Sequence, residues 1–208
     1  YQVEYASKIV EQGTLGVDAF PTHFPDIPSL LPMEFEGIST FNFLVLCQSY
    51  SSQWLENLLK SFLEVDEQIP EVACIVYNPL KTPKEKDLMI LNHILEDREA
   101  PITVIPEPLN IQEQAELLKT VQVVIVMPED PIMYYGWWSL YLEIPVWCLA
   151  PVSASFITLT EFIGSDWKTG WANYYQNYSS FQKKAQKASE QLKDFNSIKG
   201  DQLRIQTL

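Results

Sequence analysis

The stretch that decides the fold runs from Val121 to Val146 and reads VQVVIVMPEDPIMYYGWWSLYLEIPV. Its first six residues are apolar apart from Gln122 and rich in β-branched Val and Ile, which is typical of a strand that helices cover on both faces. Pro128 ends this strand, and a second apolar run, Pro145 to Leu149, follows after a short helix. We therefore predict that Val123 to Met127 is a central strand of a parallel sheet.

The segment between these two strands is rich in acidic and aromatic residues. Glu129 and Asp130 follow Pro128, and four aromatic residues then surround Gly136: Tyr134, Tyr135, Trp137 and Trp138. Ligands of open α/β sheets bind at the carboxyl ends of the strands, which makes this segment a candidate site. Two interpretations stay open for each group. The acidic pair either caps the next helix or contacts a ligand, and the aromatic residues either pack in the core or an interface or stack on a base or sugar.

Upstream of this stretch, apolar runs of strand length alternate with amphipathic helical segments. The runs are Phe41 to Cys47, Val72 to Tyr77 and Ile102 to Ile105. Asn110, with Glu113 three residues later, predicts a capping box at the start of one of the helices. This alternation predicts the α/β class, with a Rossmann-like domain whose parallel sheet has at least five helix-flanked strands and in which the first and fourth strands are central.

The two ends of the chain differ from this central domain. Four prolines between Phe20 and Pro32 predict an extended connection, so residues 1–34 are interpreted as a helix and linker from a preceding half of the protein. Residues 35–173 are the predicted Rossmann-like domain. Apolar residues recur at alternating steps of four and three from Tyr174 to Phe195. They predict one long helix within residues 174–208 that packs back on the domain, in preference to a coiled coil.

Composition limits the classes of function. The chain has 208 residues, with 14 basic against 27 acidic side chains and a net charge of −13, which disfavours nucleic acid as a partner. No apolar run is long enough for a transmembrane helix. Cys47, Cys74 and Cys148 lie in apolar runs and are predicted to be buried, reduced thiols in a cytoplasmic protein. Because the chain begins at Tyr1 and not at Met, we expect it to be part of a longer protein.

Several common catalytic and binding motifs are absent from the sequence. The only histidines are His23, in the Pro-rich linker, and His93, in a predicted helical segment. No metal site and no Ser-His-Asp triad is therefore predicted. The sequence has no Gly-x-Gly-x-x-Gly and no Gly-x-x-x-x-Gly-Lys-Ser/Thr loop to hold phosphates. It also lacks the Gly-x-Ser-x-Gly elbow of many hydrolases. Ordinary dinucleotide oxidoreductases and P-loop enzymes are therefore disfavoured.

The order of elements resembles the carboxyl-terminal half of glycosyltransferases of the GT-B fold, particularly the retaining group 1 family that uses nucleotide sugars. Three segments carry the resemblance, which covers roughly residues 13 to 195. Gly16-Val17-Asp18 is similar to the family's Gly-Val-Asp segment between the two halves. Leu109 to Leu118, running into Val121 to Pro128, resembles the capped helix and strand before the donor loop. Pro145-Val146 stands where the family has Gly-x-Pro-Val.

The resemblance implies transfer of a sugar from a nucleotide diphosphate sugar to an acceptor that the sequence does not identify. It implies that the acceptor-binding half lies upstream in the same protein, and that neither a cofactor nor a metal is needed. No catalytic residue is identified. The carboxyl ends of the strands predict the donor-binding residues, which are Gln48, Ser49, Tyr50, Asn78, Pro128, Glu129, Asp130, Tyr134 and Ser153.

The chain departs from the family pattern at two places. Family members carry two acidic residues eight positions apart around the donor loop, and here Asp130 stands near the first position while Trp138 stands at the second. Members also have Arg and Lys after the first two strands. Here residues 48–53 contain neither, and Asn78-Pro79 after the second strand is followed only by Lys81. These departures support an alternative, a non-catalytic GT-B-like module that binds a protein partner. An unrelated Rossmann-type ligand-binding module is the third interpretation.

Overall fold

The computed structural model describes residues 31–34, 37–69, 71–95, 100–127, 133–148 and 167–196. Strands and α-helices alternate through these ranges. In chain order they are β1 (Phe41–Leu46), α1 (Gln53–Leu63), β2 (Val72–Tyr77), α2 (Glu85–Leu95), β3 (Ile102–Val104), α3 (Ile111–Thr120), β4 (Val123–Val126), α4 (Met133–Tyr141), β5 (Val146–Cys148), α5 (Trp167–Gln176) and α6 (Tyr178–Asn196). A 3-10 turn, Asp66–Gln68, lies between α1 and β2. Each strand begins and ends within one residue of the bounds predicted from the sequence.

The five strands form one parallel sheet in the order β3-β2-β1-β4-β5. The central strand is β1, in which Phe43 lies beside Cys74 of β2 on one side and Val123 of β4 on the other. The predicted fold class, and the central position of the first and fourth strands, are therefore confirmed. Because the order of the strands reverses between β1 and β4, the topological switch point lies there.

Helices cover both faces of the sheet, which explains why the strands read as continuous apolar runs. Successive side chains of β1 point to opposite faces. Leu44 and Leu46 belong to a buried cluster with residues of α3, α4 and α6. Phe43 and Val45 belong to a second cluster with residues of α1, α2 and α5. The central strand β1 is therefore held between two apolar layers.

The predicted capping box at the start of α3 is confirmed. The side-chain oxygen of Asn110 accepts hydrogen bonds from the backbone N–H groups of Gln112 and Glu113, at 2.9 and 3.0 Å. The Glu113 carboxylate accepts from the Asn110 backbone N–H at 2.7 Å. These bonds satisfy donors that the first helical turn would otherwise leave unpaired.

The predicted long carboxyl-terminal helix is confirmed as α6 (Tyr178–Asn196), but its start differs from the prediction, because Tyr174 belongs to the preceding helix α5. The break falls at Asn177, whose carbonyl accepts from the backbone N–H of Ser180 at 2.9 Å and so begins a new helix. The apolar spacing continues through the break because Tyr174 of α5 stacks on Phe181 of α6, with ring centroids 4.0 Å apart and planes inclined by 17°. Periodicity alone does not detect a break that preserves the buried face.

Other expectations concern the cysteines and the chain's beginning. Cys47, Cys74 and Cys148 are buried and form no disulfide, as predicted, and burial raises the pKa of the Cys74 thiol. The predicted amino-terminal helix and most of the linker lie outside the described residues. Within the described ranges, no helix has the length and apolar character needed to cross a membrane.

Candidate functional site

A cleft of about 480 Å³ lies at the carboxyl ends of β1 and β2. The loop after each strand contributes to it, together with the first turn of α2. The residues that line it are Gln48, Ser49, Tyr50, Ser51, Asn78, Lys81, Thr82, Lys84, Lys86 and Asp87. Four of the nine residues predicted from the sequence, Gln48, Ser49, Tyr50 and Asn78, thus line one cleft.

The other five predicted residues are not brought to this cleft by the described part of the structure. Pro128, Glu129, Asp130 and Ser153 lie outside the described residues. Tyr134 is in the first turn of α4. Their roles in donor binding stay predictions.

Asn78 connects the two loops that form the cleft. Its side-chain oxygen accepts hydrogen bonds from the backbone N–H groups of Leu80 and Lys81, at 2.9 and 3.1 Å. Its amide nitrogen donates to the carbonyl of Gln48 at 2.9 Å. Asn78 is buried, so these bonds hold the β2 loop in a turn and tie it to the β1 loop. Asn78 therefore shapes the cleft more than it offers groups to a ligand.

The loop after β1 presents exposed hydroxyl groups. The hydroxyl oxygens of Ser49 and Ser51 lie 3.1 Å apart, and both residues are exposed. Ser52 is the residue before α1, but its hydroxyl donates to the Ser49 carbonyl at 2.9 Å and makes no capping bond to the helix. The serine side chains therefore bond within the loop, and the hydroxyls of Ser49 and Ser51 stay accessible from the cleft.

Tyr50 lies at the bottom of the same loop and is only 3% exposed. Its hydroxyl is buried and has no hydrogen-bond partner of good distance and angle among the described residues, although the backbone of Asn78 lies close enough to lower its pKa. Burial, and secondarily the thiol of Cys47, raises the pKa of the Tyr50 hydroxyl well above its ordinary value. A neutral phenol that can donate one hydrogen bond is thus held beside the cleft.

Three lysines give the cleft a positive charge in a strongly acidic chain. Lys81, Lys84 and Lys86 line it with one acidic residue, Asp87, which leaves a local charge of +2 against −13 for the whole chain. The Asp87 carboxylate also accepts from the backbone N–H of Lys84 at 3.0 Å and so caps the start of α2. Of these three lysines, only Lys81 was identified from the sequence as a cation after the second strand. The signal for the other two was a run of lysines immediately before a predicted helix.

The two tryptophans of α4 are packed in the core. Trp138, which stands where the related family has its second acidic residue, is 0% exposed and belongs to the cluster beneath α3, α4 and α6. Trp137 is buried in the same cluster. The Tyr135 hydroxyl donates to the side chain of Gln114 on α3 at 3.2 Å. The core-packing interpretation therefore holds for both tryptophans.

These features define a class of protein. The chain has the fold of the carboxyl-terminal, Rossmann-like half of the GT-B glycosyltransferases. No protein-family model matches the sequence, and no curated protein matches it. Comparison with solved structures, in contrast, finds proteins of this fold.

Three solved structures illustrate the likeness. The C-terminal domain of a group 1 glycosyl transferase, LpcC, from Francisella tularensis is 10% identical, with 81% of this chain and 96% of that domain covered and a TM-score of 0.59. The Glycosylation Associate Protein complex from Streptococcus agalactiae is 12% identical over 93% of this chain and 41% of that one, with a TM-score of 0.60. An α,α-trehalose-phosphate synthase from Burkholderia vietnamiensis is 11% identical over 74% and 40%, with a TM-score of 0.51.

The likeness differs in extent among the three structures. The chain matches almost the whole Francisella domain but spans about two fifths of the other two chains. At identities of 10 to 12%, the likeness establishes the fold, and function has to be argued from the site.

Proposed function

We propose that this chain is the donor-side half of a GT-B glycosyltransferase. It binds a nucleotide diphosphate sugar in the cleft at the carboxyl ends of β1 and β2, and the sugar is transferred to an acceptor held by an upstream half of the same protein. The observation that carries this proposal is the meeting of Gln48, Ser49, Tyr50 and Asn78, from two separate loops, around one cleft.

The size and chemistry of the cleft support a small anionic ligand. A volume of about 480 Å³ lies within the range of ligand pockets, ~300–1,000 Å³. The hydroxyls of Ser49 and Ser51 can donate to phosphate or sugar oxygens. The lysines would balance the charge that the nucleoside diphosphate keeps when its bond to the sugar breaks. In this role the chain binds and orients the donor.

A binding experiment tests this proposal. Uridine and guanosine diphosphates, their sugar conjugates and the free nucleosides are titrated into the chain while heat of binding is followed. We expect saturable binding of at least one nucleoside diphosphate, and weaker binding of its nucleoside. Gln48→Ala should lower the affinity, whereas Asn92→Ala, on the exposed side of α2, should not. Absence of saturable binding both in this chain and in a protein that includes the upstream half would contradict the proposal.

A second candidate function is a non-catalytic GT-B-like module that contacts a protein partner. The burial of Trp138 favours it, because the position at which the resembled family has its second acidic residue is here part of the core. The β2 loop and α2 also expose apolar side chains, with Leu80 53% and Met89 66% exposed. Exposed apolar residues next to charged ones are typical of protein interfaces.

Turnover separates the two candidates. The protein with its upstream half is incubated with those nucleotide sugars that bind, with and without a panel of sugar and peptide acceptors, and release of nucleoside diphosphate is measured. Release that depends on the acceptor and is lost in Gln48→Ala supports the transferase. Binding without release under every condition supports the non-catalytic module.

A further inference from the structure

We propose that the chain enters the domain through a hinged strap, residues 33–39, which opens at Met33 and stays attached at Ser39. The structure describes residues 33, 34 and 37–39 of this strap. The strap contacts the start of β1 and the last turn of α3, so it lies at the opposite end of the strands from the cleft. The inference concerns a conformational change and goes beyond the proposed function.

The end of the strap that opens is Met33, whose two backbone groups both contact the hydroxyl of Thr120. The hydroxyl oxygen accepts from the Met33 N–H at 2.7 Å and lies 3.1 Å from the Met33 carbonyl, to which it can donate. It also lies 2.9 Å from the carbonyl of Glu116, one turn earlier in α3. Because a hydroxyl has one proton, the two carbonyls share this donor.

This contact can be released without leaving the Thr120 hydroxyl unpaired. Once Met33 has left, the hydroxyl can donate to the Glu116 carbonyl alone, a bond that threonine makes readily within a helix. The Met33 backbone groups would bond to water, since the strap lies at the surface, where Leu31 is 80% exposed and Glu34 is exposed. Opening therefore exchanges hydrogen bonds with water and gives up only the half-buried packing of the Met33 side chain.

The other end of the strap, Ser39, is held by a buried side chain. Asn42, which is 2% exposed, accepts from the Ser39 N–H and donates to the Ser39 carbonyl, both at 2.9 Å. The Asn42 amide also donates to the Thr120 carbonyl at 3.2 Å. Release of Ser39 would remove the donor to the buried Asn42 oxygen, and a buried polar group that loses its partner carries its full desolvation penalty. The strap should therefore open at Met33 first.

Gly37 lies between the two ends and acts as the hinge. Its φ of +89° is in the left-handed region, which glycine adopts without a steric penalty. A Cβ at this position would overlap the hydroxyl of Thr103 in β3. The docked strap therefore requires glycine here. An alanine at position 37 opposes docking without changing the side chains that hold Met33 and Ser39.

Amide hydrogen exchange of the folded chain tests the inference residue by residue. Exchange is followed at Met33, at Ser39 and at Leu44 in β1, and each rate is corrected for the intrinsic rate of that amide. The wild type is compared with Thr120→Val, which nearly keeps the shape of the side chain but lacks the hydroxyl, and with Thr120→Ser, which keeps the hydroxyl. Urea denaturation measures the global stability, and Gly37→Ala provides an independent variant if Thr120→Val does not fold.

We expect the Met33 amide of the wild type to be roughly tenfold or more less protected than the Ser39 amide, because it exchanges through local opening. Thr120→Val should raise the Met33 rate roughly fivefold, which corresponds to the loss of one hydrogen bond, and should leave Ser39 within about twofold. Thr120→Ser should leave the Met33 rate within about twofold of the wild type. Gly37→Ala should raise the Met33 rate as well.

An unchanged Met33 rate in Thr120→Val would overturn the inference, as would an unchanged rate in Gly37→Ala if that variant takes its place. Equal increases at Met33 and Ser39 would show that the strap detaches as a whole. Equal increases at Leu44 would show that the substitution only destabilises the domain. Either result contradicts a hinged strap. No nucleotide enters the experiment, so its outcome is independent of the proposed function.

Discussion

Side chains on the two sides of the switch point lie in different environments, a polar cleft on one side and the apolar core on the other. On the β2 side, the loops after β1 and β2 enclose a polar cleft with three lysines, two exposed serine hydroxyls and the buried hydroxyl of Tyr50. On the β4 side, α4 turns Trp137 and Trp138 into the core.

This difference places side chains on the two sides under different physical constraints. A side chain that moves into the core is constrained by packing and contributes to stability. A group that stays at the cleft can be retained at a cost to stability, which is the usual signature of a binding site. Substitutions on the two sides should therefore differ in the size, and even in the sign, of their effect on the free energy of unfolding.

The largest effect is expected from Trp138→Ala on the core side. Removing a fully buried indole leaves a large cavity, so the free energy of unfolding should fall by about 3–5 kcal/mol. Urea denaturation measures it. Trp138→Asp, which introduces the acidic residue of the family pattern, should destabilise the protein at least as much, because the carboxylate would be buried without a partner. A loss below about 1 kcal/mol for either variant would show that core packing does not depend on the side chain at position 138.

A smaller loss is expected for Gly170→Ala in α5. Alanine normally stabilises a helix interior relative to glycine by ~1 kcal/mol. Here a Cβ at position 170 would lie 2.2 Å from the ring of Trp147, which is fully buried in β5 and cannot move aside. The clash should outweigh the helix preference and cost about 1–3 kcal/mol. Ser179→Ala, at an exposed position of α6, is the control and should change stability by less than about 0.5 kcal/mol.

The strands and the main helix start were predictable because local signals determine them. Val and Ile dominate β4, and the β-branched run leaves no polar face to expose, so a strand buried on both faces is the consistent solution. Asn110 and Glu113 form a capping box whose partners are three residues apart in sequence. Interactions of this range can be read from the sequence before any tertiary contact is known.

The missed features depend on contacts between distant residues. Lys84 and Lys86 line the cleft because the connection after β2 folds back and α2 starts there, which the end of the strand does not reveal. The break at Asn177 preserves the apolar spacing, so it leaves no trace in the periodicity. The burial of Trp138 is decided by the packing of α4 on the sheet. The sequence thus predicted the cleft residues nearest the strand ends and missed those that the connection to α2 brings there.

On the cleft side, Asn78→Ala should have a moderate effect on both stability and binding. The substitution removes one hydrogen bond that joins the two loops and two that hold the β2 loop in its turn, and it leaves the Gln48 carbonyl and the turn's N–H groups without this partner. We expect a loss of about 1–2 kcal/mol, partly offset by water at the cleft. Pyrophosphate affinity should fall as well, because the lysine turn loses its support. Unchanged affinity with lowered stability would show that the turn does not position the lysines.

The smallest effect, and one of opposite sign, is expected from Tyr50→Phe. The variant removes a buried hydroxyl that makes no hydrogen bond to the described residues and keeps the ring that packs in the core. At neutral pH, the free energy of unfolding should rise by up to about 1 kcal/mol. Tyr77→Phe is the matched comparison, since the Tyr77 hydroxyl accepts from the backbone N–H of Leu109 at 3.0 Å. That variant should lose about 1 kcal/mol.

The gain from Tyr50→Phe should increase at high pH. Burial raises the pKa of the Tyr50 hydroxyl, so above the ordinary tyrosine pKa of ~10 the unfolded chain releases this proton while the folded protein keeps it. The unfolded state then binds fewer protons, and the wild type loses stability as pH rises, whereas the Phe variant loses none from this position. Urea denaturation of both proteins at pH 7 and pH ~10.5 measures the difference. Equal losses in Tyr50→Phe and Tyr77→Phe would show that the Tyr50 hydroxyl is already satisfied, and that the cleft side carries no such cost.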